Sequence, residues 1–248
     1  MTLNMFFAEN PNIALAFSGG VDSAYLLYAA VAAGADVTAY YVKSAFQPEF
    51  ELRDAQRLAQ ELGAKMQVIA LDVLGDAAVT ANPADRCYHC KKRIFTAIVD
   101  AARADGYTVL IDGTNASDDD SDRPGIRALR ELAVRSPLRE CGITKAQVRE
   151  LSREAKLFTW DKPAYACLAT RIPTGEHITA EKLNKTERAE EFLESLGFRD
   201  FRVRLMGESA KLQVREEQLP LFLEKRNEIL TGLQPLYTNV LLDLEVRG

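Results

Sequence analysis

The pattern of apolar and polar residues predicts an α/β protein: a doubly wound, mainly parallel sheet, followed by a smaller C-terminal α+β domain. Three observations lead there. Strand-like and helix-like runs alternate with short loops through the first two-thirds of the chain, glycines stop most of the helical runs, and the rhythm changes between Pro163 and Pro173. Residues 13–17 form an apolar run suited to a buried strand, and residues 21–33 a helix ended by Gly34. Residues 37–42, rich in β-branched and aromatic side chains, make the second strand, and residues 48–62 a helix stopped by Gly63. A third strand is expected over 66–72, a helix over 91–104 stopping near Gly106, and a fourth strand over 108–112 that runs into Gly113-Thr114-Asn115. Thr144 caps a further helix that continues through Gln147 to Ala155.

Beyond the break, a helix over 179–196 precedes two short strands, 201–205 and 211–214, joined through Gly207. A helix over 216–230 and a strand over 237–246 complete this part. The expected domains are therefore 1–170 and 171–248, in a chain of 248 residues long enough to bury a core without staples. Trp160 is expected to be buried near the junction, and Asp118-Asp119-Asp120 with Asp122 reads as a solvated acidic loop.

Charge and composition exclude several classes. With 31 basic and 36 acidic residues the net charge is −5, which argues against a broad nucleic-acid-binding face while leaving room for a local basic pocket. The first ten residues lack the basic and apolar regions of a signal peptide, and no apolar stretch approaches the roughly 18 residues of a membrane span. A cytoplasmic protein is expected, without membrane or nucleic-acid partners. In a reducing compartment its four cysteines are better explained as metal ligands or reactive thiols than as disulfides.

Ser18-Gly19-Gly20-Val21-Asp22-Ser23 lies where the first strand passes into the first helix. Adjacent glycines let the backbone curl with its N–H groups inward, at a helix start whose partial positive charge favours anions. Ser18 and Ser23 add hydroxyl donors, and Asp22 can hold a Mg²⁺ riding on phosphates. Neither the lysine of G-x-x-x-x-G-K-[ST] nor the spacing of G-x-G-x-x-G is present. The pattern resembles the PP-loop of the ATP pyrophosphatases, whose sheet is of the adenine nucleotide alpha hydrolase-like type. That resemblance implies ATP cut between its α and β phosphates: an acceptor oxygen takes AMP, and residues 18–23 keep pyrophosphate.

Cys87-Tyr88-His89-Cys90 is a C-x-x-C, a spacing shared by zinc sites, redox disulfides and iron–sulfur sites. Cys167 lies far downstream, and no second C-x-x-C completes a Cys₄ zinc site. Three thiolates suit a [4Fe–4S] cluster with one iron left open. Cys141 falls outside any ligand spacing and reads as a half-buried loop residue, while His89 and His177 read as flanking polar residues. Arg202 and Arg204, two apart on a strand, face the same way; such a pair can grip phosphate or simply coat a solvent face.

Across essentially its whole length the sequence resembles the LarE-type ATP-dependent sulfurtransferases of nickel-pincer nucleotide synthesis. The likeness is carried by residues 18–23, by Asn82-Pro83-Ala84-Asp85-Arg86-Cys87-Tyr88-His89-Cys90-Lys91, by Trp160-Asp161-Lys162-Pro163 through Cys167 to Arg171-Ile172-Pro173, and by Arg202-Val203-Arg204. It implies adenylation of a carboxylate of pyridinium-3,5-biscarboxylic acid mononucleotide, followed by its conversion to a thiocarboxylate. Members with only the position of Cys167 surrender that cysteine's sulfur; those with all three cysteines hold a [4Fe–4S] cluster and are catalytic. By resemblance, then, Cys87, Cys90 and Cys167 are cluster ligands and catalytic residues together with Asp22; Arg202, Arg204 and Arg171 bind the substrate; and the protein is a homo-oligomer, a hexamer. The competing expectations are a tRNA-thiolating PP-loop enzyme, an amidating synthetase of the NAD or GMP synthetase kind, which needs none of the three cysteines, and a non-catalytic ATP sensor with a zinc C-x-x-C.

Overall fold

Successive side chains of the central strands alternate between two different apolar clusters, which is how a sheet buried on both faces reads in three dimensions. The computed structural model describes residues 1–118 and 124–247, so Asp119, Asp120 and Asp122 lie outside the described residues. Strands β1 (Asn12–Ala16), β2 (Asp36–Lys43), β3 (Lys65–Ala70) and β4 (Leu110–Ile111) form one parallel sheet in the order β3-β2-β1-β4. On one face Ile13, Leu15, Val37, Ala39 and Tyr41 pack with Leu26 and Leu27 of the Val21–Ala32 helix, Ala55 and Leu58 of the Glu49–Glu61 helix, and Val148 of the Lys145–Glu154 helix. On the other, Ala14, Tyr40 and Val42 meet Phe95, Ile98 and Ala102 of the Arg86–Ala104 helix and Leu129 of the Pro124–Glu131 helix. Both faces are covered, so the sheet is doubly wound as its alternating sequence requires.

The chain steps outward from β1 through β2 to β3 and then returns to place β4 on the other side of β1. Such a reversal opens a crevice at the carboxyl ends of the two strands where the order switches. Residues 18–23 follow β1 and the Gly113 turn follows β4, so both stand at that edge. A Cβ added to Gly113 would lie 2.8 Å from the backbone nitrogen of Ser23, closer than real Cβ atoms come.

Several elements differ from expectation. The fourth strand is only two residues long because Asp112 leaves the ladder with β1: its N–H donates to the Arg135 carbonyl (2.9 Å), and its carboxylate turns to Thr114 and Ser136. The helix expected over 91–104 starts earlier, at Arg86, which puts the C-x-x-C inside its opening turns. The helix expected over 216–230 is divided into Glu216–Gln218, Leu219–Glu224 and Arg226–Leu233, with Pro220 near the start of the second piece. An amphipathic helix, Leu3–Glu9, burying Phe6 and Phe7, was not foreseen. Trp160, expected to be buried, is 40% exposed, and its carbonyl accepts from Arg149 Nη1 (2.7 Å).

The chain divides into two compact units, Met1–Val73 with Asp85–Lys162, and Leu74–Ala84 with Pro163–Gly248. In the second, β5 (Arg202–Met206) pairs antiparallel with β6 (Ser209–Gln213), and β6 pairs parallel with β7 (Asn239–Leu242). Val203, Ala210 and Leu212 pack against Ala189 and Leu193 of the Ala180–Ser195 helix and against Ile229 and Leu233. The segment Leu74–Ala84 belongs here because Asn82 Nδ2 donates to the Pro173 carbonyl (2.7 Å) and the Thr80 carbonyl accepts from the Ile178 N–H (2.8 Å). The sequence-based boundary at 171 lies a short way downstream of the start at Pro163.

Gly113→Ala is expected to destabilise the protein by about 1–3 kcal/mol, since the methyl group would press on backbone and not on a yielding side chain. Urea unfolding measures this, and a midpoint equal to wild type would mean that the Gly113 turn and the Ser23 backbone part without cost.

Candidate active site

The 18–23 loop is held open by its own hydroxyls. Ser23 Oγ donates to the Gly20 carbonyl (3.2 Å), lies 3.2 Å from Ser18 Oγ, and accepts from the Ser18 N–H (3.3 Å). The Gly20 N–H donates to Ser18 Oγ (3.4 Å). Gly19 adopts φ +71°, and its Cα faces Ala55 so closely that a Cβ would stand 3.2 Å from that side chain, a second reason for glycine there. Gly20 is the N-cap of the Val21–Ala32 helix, Val21 and Ser23 are buried, and Asp22 sits in the first turn.

Asp22 is the meeting point of three elements. One carboxylate oxygen accepts from Asn115 Nδ2 (3.2 Å), on the turn after β4, and the other is ion-paired with Lys145 Nζ, at the start of the Lys145–Glu154 helix. Asn115 is almost wholly buried, and its own N–H donates to Asp118 Oδ2 (2.8 Å). Lys145 was missed in the sequence, because a lysine at the first position of a helix carries no mark of the carboxylate it will meet.

Cys87 and Cys90 occupy the first turns of the Arg86–Ala104 helix, three residues apart and so on one side of it. The far end of that helix lies by the amino end of β2: the Thr38 and Tyr107 hydroxyls are 2.7 Å apart, and Tyr40 donates to Asp105 (2.7 Å). The helix therefore runs antiparallel to the strands, and its opening turns lie toward the carboxyl edge of the sheet, the edge of the 18–23 loop. Cys87 is exposed and accepts a weak hydrogen bond from Arg86 Nη2 (3.8 Å), and Cys90 is buried. Cys141 follows the short Pro137–Glu140 helix and is half-buried, and burial pushes its thiol pKa up, which keeps it a poor nucleophile.

Cys167 belongs to the second unit and is the N-cap of the Leu168–Arg171 turn of 3₁₀ helix. The three arginines singled out in the sequence all reach the backbone around it. Arg202 Nη2 donates to the Ala164 carbonyl (2.6 Å), Arg171 Nη1 to the Ala166 carbonyl (3.0 Å), and Arg204 Nη1 to the Thr170 carbonyl (3.2 Å). Arg171 is 1% exposed and forms a two-pronged pair with Glu190 (2.7 and 3.1 Å). Burial acts to lower its pKa, but the Glu190 hydrogen bonds and charge, with smaller contributions from Tyr165 and Cys167, outweigh it and raise the pKa. Burial and the neighbouring Arg171 charge push Arg202 down to about 10, so it stays positive at neutral pH. Glu190 also accepts from Tyr165 Oη (2.6 Å) and the Val203 N–H (3.0 Å), a hub that sequence reading overlooked because a glutamate within a charged helix looks solvated.

Comparison with known proteins gives the family. The family described as Queuosine biosynthesis protein QueC matches residues 12–94, from β1 through the C-x-x-C. A pyridinium-3,5-bisthiocarboxylic acid mononucleotide synthase of Lactiplantibacillus plantarum is 35% identical over 246 residues, 98% of this chain and 89% of that one. The chain belongs to the LarE family of ATP-dependent sulfurtransferases. An uncharacterized protein of Synechocystis sp. is 39% identical over 98% of this chain and 92% of its own. A tRNA-specific 2-thiouridylase of Frankia casuarinae is 34% identical over 60% of this chain and 52% of that one.

Among the described residues no group of three or more His, Cys, Asp or Glu side chains is gathered as a metal site, and no helix is long and apolar enough to cross a membrane. The C-x-x-C presents two thiols one helical turn apart, one of them exposed, a donor pair whose chemistry fits iron and zinc alike.

Glu190→Ala leaves the Arg171 guanidinium buried without its carboxylate and is expected to cost about 3–5 kcal/mol of stability. Glu190→Gln, which keeps an acceptor oxygen, should cost less. Denaturant titration of both variants tests this, and a loss under about 1 kcal/mol for Glu190→Ala would remove Glu190 from its place as hub.

Proposed function

We propose that this LarE-family enzyme adenylates a carboxylate of pyridinium-3,5-biscarboxylic acid mononucleotide with Mg²⁺-ATP and converts it to a thiocarboxylate, in the cytoplasm, for nickel-pincer nucleotide synthesis. The observation that carries the reading is 35% identity over nearly the full length to a synthase of the bisthiocarboxylic acid mononucleotide, combined with a PP-loop at the strand-order switch. A carboxylate is a poor electrophile because oxide would have to leave. Attack of its oxygen on the α-phosphorus of ATP forms an acyl–O–P bond and releases pyrophosphate, so that a sulfur nucleophile then expels AMP. The backbone of residues 18–23 and the Ser18 and Ser23 hydroxyls hold the phosphates, and Asp22 supplies an oxygen for Mg²⁺.

Arg204 and Arg202 are proposed to meet the substrate's phosphate, with Arg171 acting through the segment around Cys167. The half-exposed Arg204 supports this best, its weaker contact being a 3.4 Å bond to Gln213. Cys87, Cys90 and Cys167 are proposed as the ligands of a [4Fe–4S] cluster, which when bound supplies sulfur other than the cysteines' own and so allows repeated turnover. Self-association, as a hexamer by family resemblance, would cover the exposed Met206 and Leu244 of the second unit. A tRNA-thiolating role is less well supported, since those matches cover about half of the longer relative and the net charge is negative.

Anaerobic reconstitution with iron and sulfide, followed by counting thiolated product in the presence of ATP, tests the reading. More sulfur atoms delivered than polypeptides present is the expected result, whereas at most one per chain would mean sacrifice of a cysteine. Replacing Cys87, Cys90 or Cys167 singly with Ala should abolish both the cluster's visible absorbance and multiple turnover; a wild-type spectrum from any one variant would remove that residue from the ligand set. For Arg204→Ala, calorimetry should register a roughly tenfold or greater loss of affinity for the biscarboxylate mononucleotide with ATP affinity unchanged. Equal losses for both ligands would place Arg204 elsewhere.

A further inference from the structure

We propose that Lys145 is an exchangeable counter-ion: it neutralises Asp22 while the nucleotide site is empty, yields that carboxylate to Mg²⁺ when ATP arrives, and then turns its ammonium onto the triphosphate. The proposal rests on the reading of the 18–23 loop as the ATP site.

Both oxygens of Asp22 are taken in this structure, one by Lys145 Nζ and one by Asn115 Nδ2. A carboxylate so occupied is not an open ligand for Mg²⁺, which demands oxygen at about 2.0–2.1 Å in strict geometry. The amide can remain as a neutral neighbour, but an ammonium on that oxygen repels an incoming divalent ion and competes with it for the carboxylate charge. Lys145 is the group that must leave.

It cannot leave far, because its backbone is tied down. The Lys145 N–H donates to Ser117 Oγ (3.0 Å), and the Ala116 N–H donates to the Ile143 carbonyl (2.8 Å). Thr144 closes a capping box with Gln147 one residue before it. Ser117 in turn donates its N–H to Asn115 Oδ1 (2.8 Å), so the turn that presents the amide and the helix that presents the ammonium form one hydrogen-bonded piece. Only the four-carbon stem is free to swing, and it is about one-third exposed. A Mg²⁺ seated on Asp22 carries the ATP phosphates with it, which puts their oxygens within the sweep of the displaced ammonium.

The chemistry has a use for that charge. Attack of the substrate carboxylate on the α-phosphorus makes one P–O bond and breaks the bond between the α-phosphorus and the α,β-bridging oxygen, whose electron pair departs on that oxygen with pyrophosphate. No proton moves. Negative charge grows on the leaving pyrophosphate, and a compact ammonium aimed there stabilises the transition state more than the ground state.

The test uses the full chain. Pyrophosphate release is followed at fixed ATP and biscarboxylate mononucleotide over a Mg²⁺ titration for wild type, Lys145→Met and Lys145→Arg. In Lys145→Met, the Mg²⁺ midpoint is expected to fall about 3- to 5-fold, because Asp22 no longer has a competing cation, and the saturating rate to fall about 100-fold. Lys145→Arg keeps the charge and should return the midpoint to near wild type. An unchanged Mg²⁺ midpoint in Lys145→Met overturns the exchange whatever happens to the rate. A shifted midpoint with a wild-type rate overturns the move to the triphosphate. Should wild type release no pyrophosphate, the substrate assignment fails, and the exchange is then judged on Mg²⁺-dependent binding of α,β-methylene-ATP by calorimetry. There the same midpoint shift supports it and its absence overturns it.

Discussion

Everything in the nucleotide-facing unit depends on how closely two neighbouring parallel strands deliver their loops to one edge. β1 and β4 pair side by side, and where they end, the Gly113 turn passes over the first turn of the Val21–Ala32 helix with no room for a Cβ. That approach lets Asn115 touch Asp22 and brings Ser117 within reach of Lys145. A sheet with antiparallel β4 would send the Gly113 turn to the opposite edge, and the 18–23 loop would remain an anion-binding turn with no second wall.

The second unit uses a different device. There a single buried carboxylate, Glu190, gathers a guanidinium, a phenol and a backbone N–H. Through Arg171, and alongside Arg202 and Arg204, this network fastens the backbone on both sides of Cys167. Buried ion pairs are uncertain contributors to net stability, because desolvation offsets attraction, but removing one partner is costly. Such a network suits a segment whose position matters more than its packing, since 164–170 has little regular structure and only the Leu168–Arg171 turn within or beside it.

The two units thus divide the chemistry by physical type. Backbone N–H groups, hydroxyls and one carboxylate at a sheet edge suit phosphates and Mg²⁺, whereas a cysteine held among guanidinium groups suits a soft nucleophile that must meet an anionic partner. The C-x-x-C lies with the first of these, at the start of a helix that runs back along the sheet.

Much of this was legible in the residues alone. The β–α alternation, the loop 18–23 and its helix, the cap at Thr144, and the two-residue spacing of Arg202 and Arg204 are local features, because strand period, glycine conformation and capping chemistry act over a few neighbours. Length of the fourth strand, the early start of the Arg86–Ala104 helix and the inclusion of Leu74–Ala84 in the second unit depend on hydrogen bonds to distant segments such as Arg135, Ile178 and Pro173, which no local pattern encodes. The same holds for partners. The 18–23 motif marked Asp22, and family resemblance marked Arg171, as charged groups with a role, but that Lys145 answers the first and Glu190 the second follows from separations of 123 and 19 residues closed by folding, and charge pairs of that kind are chosen by where the backbone brings them and not by sequence spacing.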